Sequence, residues 1–203
     1  MGITNSFLVG ITGGMGAGKS LVCKILNNLG IPVYSSDDRA KDIMINNQTL
    51  KKEIINHFGS KSYSGTKLNN NFLSQSVFNS SIKLLKMNNL VHPFVKEDFL
   101  SWVKTNSKND YLIKESALLI DSGGYKELDF NVYVLADKTL RIKRILERDP
   151  RRNKSDIIKI INNQIEDSKA SKYCDKVINN DGELLLLPQV LELHDQILKI
   201  SKK

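Results

Sequence analysis

The sequence predicts an α/β fold in which a parallel sheet of five strands is flanked by helices. Three observations support this prediction. Short apolar runs typical of buried strands alternate with longer runs of helical periodicity. A glycine-rich segment joins the first strand to the first helix. The middle of the chain, about residues 48–106, has helical periodicity only, and it predicts a helical insertion between the second and third strands.

The predicted elements alternate along the chain. Strands are predicted at residues 7–12, 31–34, 111–113, 132–136 and 176–178. Helices are predicted at about 21–29, 38–45, 138–148, 156–167 and near the C-terminus. Within the insertion, residues 59–65 are predicted to be a loop. His92-Pro93 predicts a break between two helices, because proline disfavours α geometry at the residue before it. Alternating strands and helices imply a parallel sheet covered on both faces.

The segment between the first strand and the first helix matches the P-loop pattern G-x-x-x-x-G-K-[ST]. Its residues are Gly13, Gly14, Met15, Gly16, Ala17, Gly18, Lys19 and Ser20. The backbone N–H groups of such a loop point at phosphate oxygens, and the following helix turns its positive dipole end towards them. Lys19 is expected to reach the β- and γ-phosphates, and the Ser20 hydroxyl is expected to bind Mg²⁺. We therefore predict a site for a nucleotide with Mg²⁺.

Composition narrows the class of protein. The 203 residues carry a net charge of +8, which favours polyanionic partners such as nucleotides or nucleic acid. No apolar run approaches the ~20 residues that span a bilayer, and the N-terminus lacks the pattern of a signal peptide. Cys23 and Cys174 stand far apart in unrelated contexts, as expected of reduced thiols in the cytosol. We expect a cytoplasmic protein that does not bind membranes.

Asp37 follows the second predicted strand directly. In a parallel sheet the carboxyl ends of the strands face the edge where ligands bind. There this carboxylate could accept the proton of an attacking hydroxyl while the P-loop holds the γ-phosphate. Asp37, or Ser36 beside it, could equally be the N-cap of the next helix. Position alone leaves both interpretations open.

Three arginines in the predicted helix 138–148 recur at i, i+3 and i+7 and so share one face. They are Arg141, Arg144 and Arg148, and a polar stretch follows up to Lys154. Such a basic segment could be mobile and close over a triphosphate, where its charges would stabilise phosphoryl transfer. The alternative is a basic face exposed to solvent.

Other polar residues near the predicted strand ends have two possible roles. Glu115 ends the third strand, and Asp121 follows the apolar run 117–120. Either acid could orient Mg²⁺ through water or help to bind a substrate, and either could be an ordinary loop acid. His92 is a lone histidine before proline, for which a structural role is the simpler interpretation.

Taken together, these motifs resemble the dephospho-CoA kinase family over nearly the whole chain. The P-loop is shared by many families, and the more specific matches lie elsewhere. They are Val33-Tyr34-Ser35-Ser36-Asp37 followed by Ala40-Lys41, Leu90-Val91-His92-Pro93, the run from Glu115 to Gly123, Arg144-x-x-x-Arg148-Asp149, Gln164, and Val177-Ile178-Asn179-Asn180-Asp181-Gly182. Their order along the chain is more specific than any one of them.

The resemblance implies transfer of the γ-phosphate of ATP to the ribose 3′-hydroxyl of dephospho-CoA, which gives CoA and ADP. It implies a P-loop NTPase core within a single domain, 1–203, with a helical CoA-binding insertion at about 60–105 and a lid at about 144–170. The general base of the family falls on Asp37. The expected catalytic residues are Asp37, Lys19, Arg144 and Arg148. The expected substrate-binding residues are Asp37, Lys41, His92, Pro93 and Asp121. ATP with Mg²⁺ and dephospho-CoA are the expected ligands.

Some positions depart from the family pattern. Ser35 stands where the family often has an aspartate, and Lys41 stands where an arginine is usual. Asn70 replaces another frequent arginine. The P-loop, Asp37 and His92-Pro93 are in place. We therefore expect the chemistry of the family, with some altered contacts to substrate.

Two other functions fit parts of the sequence. A different nucleoside or nucleotide kinase would also use a helical insertion and a basic lid, and its choice of acceptor distinguishes it. A P-loop regulator or a nucleic-acid-binding NTPase would use the net charge of +8. The chain has no RNA-binding signature and no aromatic residues interleaved with basic ones for base stacking. We therefore expect small-molecule substrates and no nucleic acid, and the sequence predicts no particular oligomeric state.

Overall fold

The computed structural model describes residues 6–78 and 80–202. Residues 1–5, 79 and 203 lie outside the described part of the chain, as do the side chains of residues 77, 78 and 81. The strands are β1 (Phe7–Thr12), β2 (Val33–Ser35), β3 (Tyr63–Ser64), β4 (Lys67–Leu68), β5 (Tyr111–Glu115), β6 (Phe130–Leu135) and β7 (Lys176–Asn179). The helices are α1 (Lys19–Asn28), α2 (Ser36–Asn46), α3 (Gln48–Phe58), α4 (Asn70–Phe78), α5 (Ser81–Thr105), α6 (Lys138–Arg148), α7 (Lys154–Asn162), α8 (Asp167–Ala170) and α9 (Leu186–Ser201). None of the described helices is long and apolar enough to cross a membrane.

Within the described residues, five strands form a parallel sheet in the order β2-β5-β1-β6-β7. Strand β1 is central, and it is buried from Val9 to Thr12. Because all five strands run in the same direction, their carboxyl ends lie along one edge of the sheet. The glycine-rich loop leaves β1 at that edge and enters α1. The predicted α/β fold with a five-stranded parallel sheet is confirmed.

The chain forms two compact units. The first unit comprises the chain up to Ser35 and from Asn106 onward, and it contains the parallel sheet. The second unit is Ser36–Thr105, with helices α2 to α5 and the short strands β3 and β4. In sequence, the second unit therefore lies between the strands β2 and β5.

The core of the first unit forms where α1 and α9 pack on the sheet. Apolar side chains at three- and four-residue spacing turn one face of each helix inward. Fully buried helical residues are Val22 and Leu26 of α1, and Val190, Leu193 and Ile197 of α9. Fully buried strand residues of the same core are Val9, Ile11, Tyr111, Ile113, Val132, Val134 and Ile178. This packing anchors the helix that begins at the end of the glycine-rich loop.

The second unit has a core of its own, formed by residues of α3, α4, α5 and β3. Its buried apolar residues are Leu50, Ile54, Tyr63, Leu73, Met87 and Val91. The strands β3 and β4 pair as an antiparallel hairpin around Gly65, whose φ of 61° suits a tight turn. The prediction of a loop at 59–65 with no strand nearby is therefore wrong at Tyr63–Ser64. Two-residue strands carry too little alternation to be recognised in a sequence.

The predicted break at His92-Pro93 is also wrong, because α5 is continuous from Ser81 to Thr105 with Pro93 inside it. Proline has no N–H, so the carbonyl of Asn89 loses its helical partner. Asn89 and Pro93 are both exposed, so solvent can hydrate that carbonyl. Apolar residues on both sides of Pro93, among them Val91 and Phe94, pack on one core and keep the helix continuous.

The predicted helix at 156–167 is too long, because α7 ends at Asn162 and α8 begins only at Asp167. Between these helices, Ile165 packs on a small apolar cluster that includes Tyr133 of the sheet. This tertiary contact overrides the local periodicity. The turn brings the residues after α7 to the edge of the sheet that carries the glycine-rich loop.

Substitution of Leu26 by alanine should lower the free energy of unfolding by about 2–5 kcal/mol, because a fully buried side chain leaves a cavity behind. Leu21→Ala is the matched control, since Leu21 lies on the same helix and is 51% exposed. Its cost should stay below about 1 kcal/mol. Urea denaturation followed by circular dichroism measures both. Equal costs for the two variants would contradict the packing of α1 on the sheet.

Candidate active site

The backbone of the P-loop is shaped by glycines at positions where a side chain has no room. Gly18 is the N-cap of α1 and has a φ of 99°, in the left-handed region that favours glycine. A Cβ atom there would also overlap the side-chain amide of Asn180. At Gly14 the backbone is unstrained, but a Cβ atom would overlap the guanidinium of Arg141. Side chains from outside the loop therefore occupy the space that the glycines leave.

Lys19 is buried at the start of α1, with 8% of its surface exposed. Its ammonium group donates hydrogen bonds to the carbonyl of Gly13 at 2.8 Å and to the carbonyl of Gly14 at 3.2 Å. The side chain therefore lies back over the first half of the loop. A buried cation in this position is well placed to meet phosphate oxygens that bind to the loop.

Ser20 and Glu115 meet at the carboxyl edge of the sheet. The Ser20 hydroxyl donates a hydrogen bond to Oε1 of Glu115 at 2.9 Å. Glu115 is the last residue of β5, between Ile11 of β1 and Ser35 of β2. The thiol of Cys23, one turn further along α1, also lies near Glu115, and burial raises its pKa well above the usual range. The Cys23 thiol therefore stays protonated. The polar pair at this edge is the exposed Ser20 and the half-buried Glu115.

Asn180 joins the loop to the arginine-bearing helix α6. Its amide nitrogen Nδ2 donates to the carbonyl of Ala17 at 2.8 Å, and its Oδ1 accepts from Nη2 of Arg144 at 3.4 Å. Nη1 of Arg144 is buried and has no hydrogen-bond partner among the described residues. The sequence assigned no role to Asn180. Two signals were available: Asn180 belongs to the family match Val177–Gly182, and it follows a predicted strand at the same edge as the P-loop.

A second group of side chains contacts the first half of the loop. Arg141 donates to Oδ2 of Asp167 at 3.0 Å, and the Tyr133 hydroxyl donates to Oδ1 of Asp167 at 2.6 Å. Burial and the hydrogen bond to this carboxylate raise the pKa of Tyr133 above its usual range. Oε1 of Gln164 accepts from the backbone N–H of Met15 at 2.9 Å. The sequence did not assign a role to these contacts.

Asp121 lies in a small pocket together with P-loop residues. The pocket is lined by Thr12, Gly13, Gly14, Ala117, Ile120, Asp121, Tyr133, Gln164 and Ile165. Partial burial raises the pKa of the Asp121 carboxyl above its ordinary value. Of the predicted substrate-binding residues, Asp121 is thus the one that lies in the first unit and beside the loop.

The remaining predicted residues lie in the second unit or on the surface of α6. Asp37 is exposed in the first turn of α2, which begins directly after β2. Lys41 is exposed and pairs with Asp38 at 3.4 Å. His92 and Pro93 are exposed on α5. Arg148, the third arginine on its face of α6, is exposed as well.

The first strand of the parallel sheet leads through a glycine-rich loop into a helix that begins with Lys19 and Ser20. This arrangement defines a P-loop nucleotide-binding protein. A sequence model of the family described as dephospho-CoA kinase matches residues 7–185. The chain belongs to the dephospho-CoA kinase family. It is an enzyme that phosphorylates dephospho-CoA with ATP, the final step of coenzyme A biosynthesis.

Individual relatives agree with this assignment. A dephospho-CoA kinase of Bacteroides fragilis is 39% identical over 185 residues, covering 91% of this chain and 90% of the relative. A Thermus thermophilus protein of known structure has a TM-score of 0.82 at 24% identity, covering 94% of this chain and 97% of its own. A dephospho-CoA kinase structure from Campylobacter jejuni has a TM-score of 0.70 at 24% identity, covering 97% and 98%. The two structural likenesses concern the fold.

Replacement of Asn180 by aspartate should destabilise the protein by about 1–3 kcal/mol, because a buried carbonyl loses its donor and faces a carboxylate instead. The relevant carbonyl is that of Ala17. Asn162→Asp is the matched control, since Oδ1 of Asn162 accepts from Lys138 and a carboxylate can still accept there. Urea denaturation of both variants tests the difference. Unchanged stability of Asn180→Asp would contradict the role of Asn180 in holding the loop.

Proposed function

We propose that Lys19, Asp37 and the arginines of α6 carry the transfer of the γ-phosphate of ATP to the ribose 3′-hydroxyl of dephospho-CoA. The observation that supports this best is the placement of the Lys19 ammonium over the loop and of the Ser20 hydroxyl at its end, with the Glu115 carboxylate beside that hydroxyl. The ammonium suits phosphate oxygens, and the hydroxyl and carboxylate suit the accompanying Mg²⁺. The protein is proposed to work in the cytoplasm, on small-molecule substrates and without nucleic acid.

ATP would bind with its phosphates along the loop. The backbone N–H groups of the loop and the N-terminus of α1 supply donors and positive dipole there. Nη1 of Arg144 is buried without a partner among the described residues, and a phosphate oxygen is a suitable acceptor for it. The lid is proposed at about 144–170. Its part that closes on ATP is proposed to be the arginine-bearing segment around 144–154, since Gln164 and Asp167 contact the loop and its neighbours.

Mg²⁺ would be held by the Ser20 hydroxyl together with the phosphates, with the Glu115 carboxylate beside it. The described residues contain no group of three or more acidic, histidine or cysteine side chains that could hold a metal by themselves. That fits a cation which keeps several waters and binds through one or two protein oxygens plus substrate phosphates. When bound, Mg²⁺ neutralises phosphate charge.

Lys19 is proposed to stabilise the charge that develops on the β- and γ-phosphates as the bond to ADP breaks. Burial strengthens such an interaction, because little water screens it. Arg144 and Arg148 would add positive charge from the side of α6. These groups act by position and charge, which is how most catalysis of phosphoryl transfer arises.

The acceptor is proposed to bind to the helical insertion at about 60–105, with Lys41, His92 and Pro93 as contacts and Asp121 contributing from the P-loop unit. Within the second unit, a cavity of about 440 Å³ lies next to Phe94. Its lining mixes apolar carbon with amide, hydroxyl and charged groups: Arg39, Asp42, Ile43, Asn46, Asn47, Phe94, Glu97, Asp98 and Ser101. Such a lining suits the amides and hydroxyl of a pantetheine arm.

Asp37 is proposed to accept the proton of the 3′-hydroxyl. The strand β2 ends at Ser35, beside Glu115 on the neighbouring strand, and Asp37 follows two residues later. A sugar hydroxyl is a weak nucleophile at neutral pH, and a placed carboxylate contributes about 10²–10⁴-fold to such a reaction. Because the transition state of phosphoryl transfer is loose, positioning of the hydroxyl is part of this role.

Purified protein with Mg²⁺, ATP and dephospho-CoA should give ADP and a product whose mass is that of CoA. Lys19→Ala should lower kcat by about 10²–10³-fold, as loss of one preorganised charge does. Lys24→Ala removes an exposed lysine from the same helix and should change nothing. Mass spectrometry identifies the product and a coupled ADP assay gives the rates. Phosphorylation of adenosine or AMP in preference to dephospho-CoA would overturn the assignment of the acceptor.

Asp37→Asn should lower kcat by about 10²–10⁴-fold while ATP still binds, because the amide keeps the size of the side chain and lacks its basicity. Asp195→Asn is the control, because Asp195 is an exposed acid on α9 and has no part in the proposed site. Steady-state kinetics and calorimetric ATP binding measure both effects. Normal turnover by folded Asp37→Asn would show that Asp37 is no general base.

A further inference from the structure

Arg141 is a buried arginine that lies directly on the P-loop. Only 5% of its surface is exposed, and its Nη1 atom lies so close to Gly14 that a Cβ atom there would overlap it. The backbone of Gly14 is unstrained, and the atoms that a Cβ atom there would meet all belong to the Arg141 side chain. Arg141 thus forms one wall of the first half of the loop.

Asp167 holds this guanidinium in place. Its Oδ2 atom accepts from Nη2 of Arg141 at 3.0 Å, and its Oδ1 atom accepts from the Tyr133 hydroxyl at 2.6 Å. Tyr133 is 3% exposed and belongs to β6, so the carboxylate is itself fixed to the sheet. Nε of Arg141 is buried and has no partner among the described residues, which leaves Asp167 as the acid that balances the charge.

The same short segment holds the loop at a second point. Gln164 stands three residues before Asp167, between α7 and α8, and its Oε1 atom accepts from the backbone N–H of Met15 at 2.9 Å. The two contacts fall on neighbouring loop residues, Gly14 and Met15. Two side chains close together in the sequence therefore hold the first half of the loop: Gln164 in the turn after α7, and Asp167 at the start of α8, which acts through Arg141.

We propose that Asp167 is a positioning residue for ATP binding, which acts through Arg141 to set the backbone of the P-loop at Gly14. Removal of the carboxylate leaves the buried guanidinium beside Gly14 without its acid. The guanidinium then moves to a new acceptor, and the loop amides leave the positions that phosphate oxygens require. A misplacement of about 1 Å can lower activity about 10²-fold. The inference rests on the proposed binding of ATP to this loop.

The first experiment measures ATP affinity by calorimetry, and KM and kcat by the coupled assay, for Asp167→Asn, Asp167→Glu and Tyr133→Phe. Asp167→Asn should raise both the Kd and the KM for ATP by about 10- to 100-fold, with a smaller fall in kcat. Asp167→Glu keeps the charge and should recover part of the affinity. Tyr133→Phe keeps the ion pair and should weaken ATP binding less than Asp167→Asn.

Glu192→Gln is the matched control for loss of a paired acid. Glu192 pairs with Lys176 at 2.8 Å on the surface of the first unit, away from the loop residues named above. Its ATP affinity should equal that of the wild type. Unchanged Kd and KM in folded Asp167→Asn would overturn the proposal. Failure of the wild-type protein to bind ATP at all would instead overturn the proposed function, so the two outcomes are distinguishable.

The second experiment tests the route through Gly14. Gly14→Ala should weaken ATP binding strongly in the wild type and much less in an Arg141→Ala background, where the overlapping group is absent. If the losses of ATP affinity in this double-mutant cycle were additive, the contact between Arg141 and Gly14 would not be their cause, and the proposed route would be wrong.

If Asp167→Asn does not fold, the Arg141→Ala/Asp167→Ala variant removes both charges and leaves none unpaired. That variant should fold and bind ATP more weakly, and wild-type affinity there would overturn the proposal.

Discussion

The phosphate-binding loop has few side chains of its own to hold its shape, and the site depends on how other elements hold that backbone. Asn180 binds the carbonyl of Ala17 from the end of β7, and Gln164 binds the amide of Met15 from the turn after α7. Arg141 fills the space over Gly14. The backbone N–H groups of such a loop must stay free for phosphate. The loop is therefore held in shape by side chains from three other segments, which lie more than a hundred residues later in the sequence.

The charged groups at the site also come from several segments of the chain. Lys19, Arg141 and Arg144 place three cations around the loop, while Asp167 balances one of them and Glu115 receives the Ser20 hydroxyl. The excess of positive charge is local, although the whole chain carries +8. In the proposed function, a triphosphate would meet partly buried cations and oriented dipoles, and both act more strongly than surface charges screened by water.

Much of the site could be predicted because its signals are local. The P-loop, the strand before it and the helix after it occupy one continuous segment, and Glu115 could be placed by its position at a strand end. Asn180 and Gln164 received no role, because their contacts with the loop join residues that are far apart in the sequence. Asn180 lies 163 residues after Ala17, and Gln164 lies 149 residues after Met15. The errors have the same origin: Pro93 stays inside a helix because residues on both sides of it pack on one core.

The sequence by itself determined the class of fold, the phosphate-binding loop and the family, because periodicity and motif spacing are properties of neighbouring residues. Only the tertiary structure decided which side chains hold that loop. The pairing of Arg141 with Asp167, and the placement of both against Gly14, requires the turn after α7 to return to the sheet edge. Such a return is set by apolar packing of Ile165 against the sheet, which no local pattern encodes.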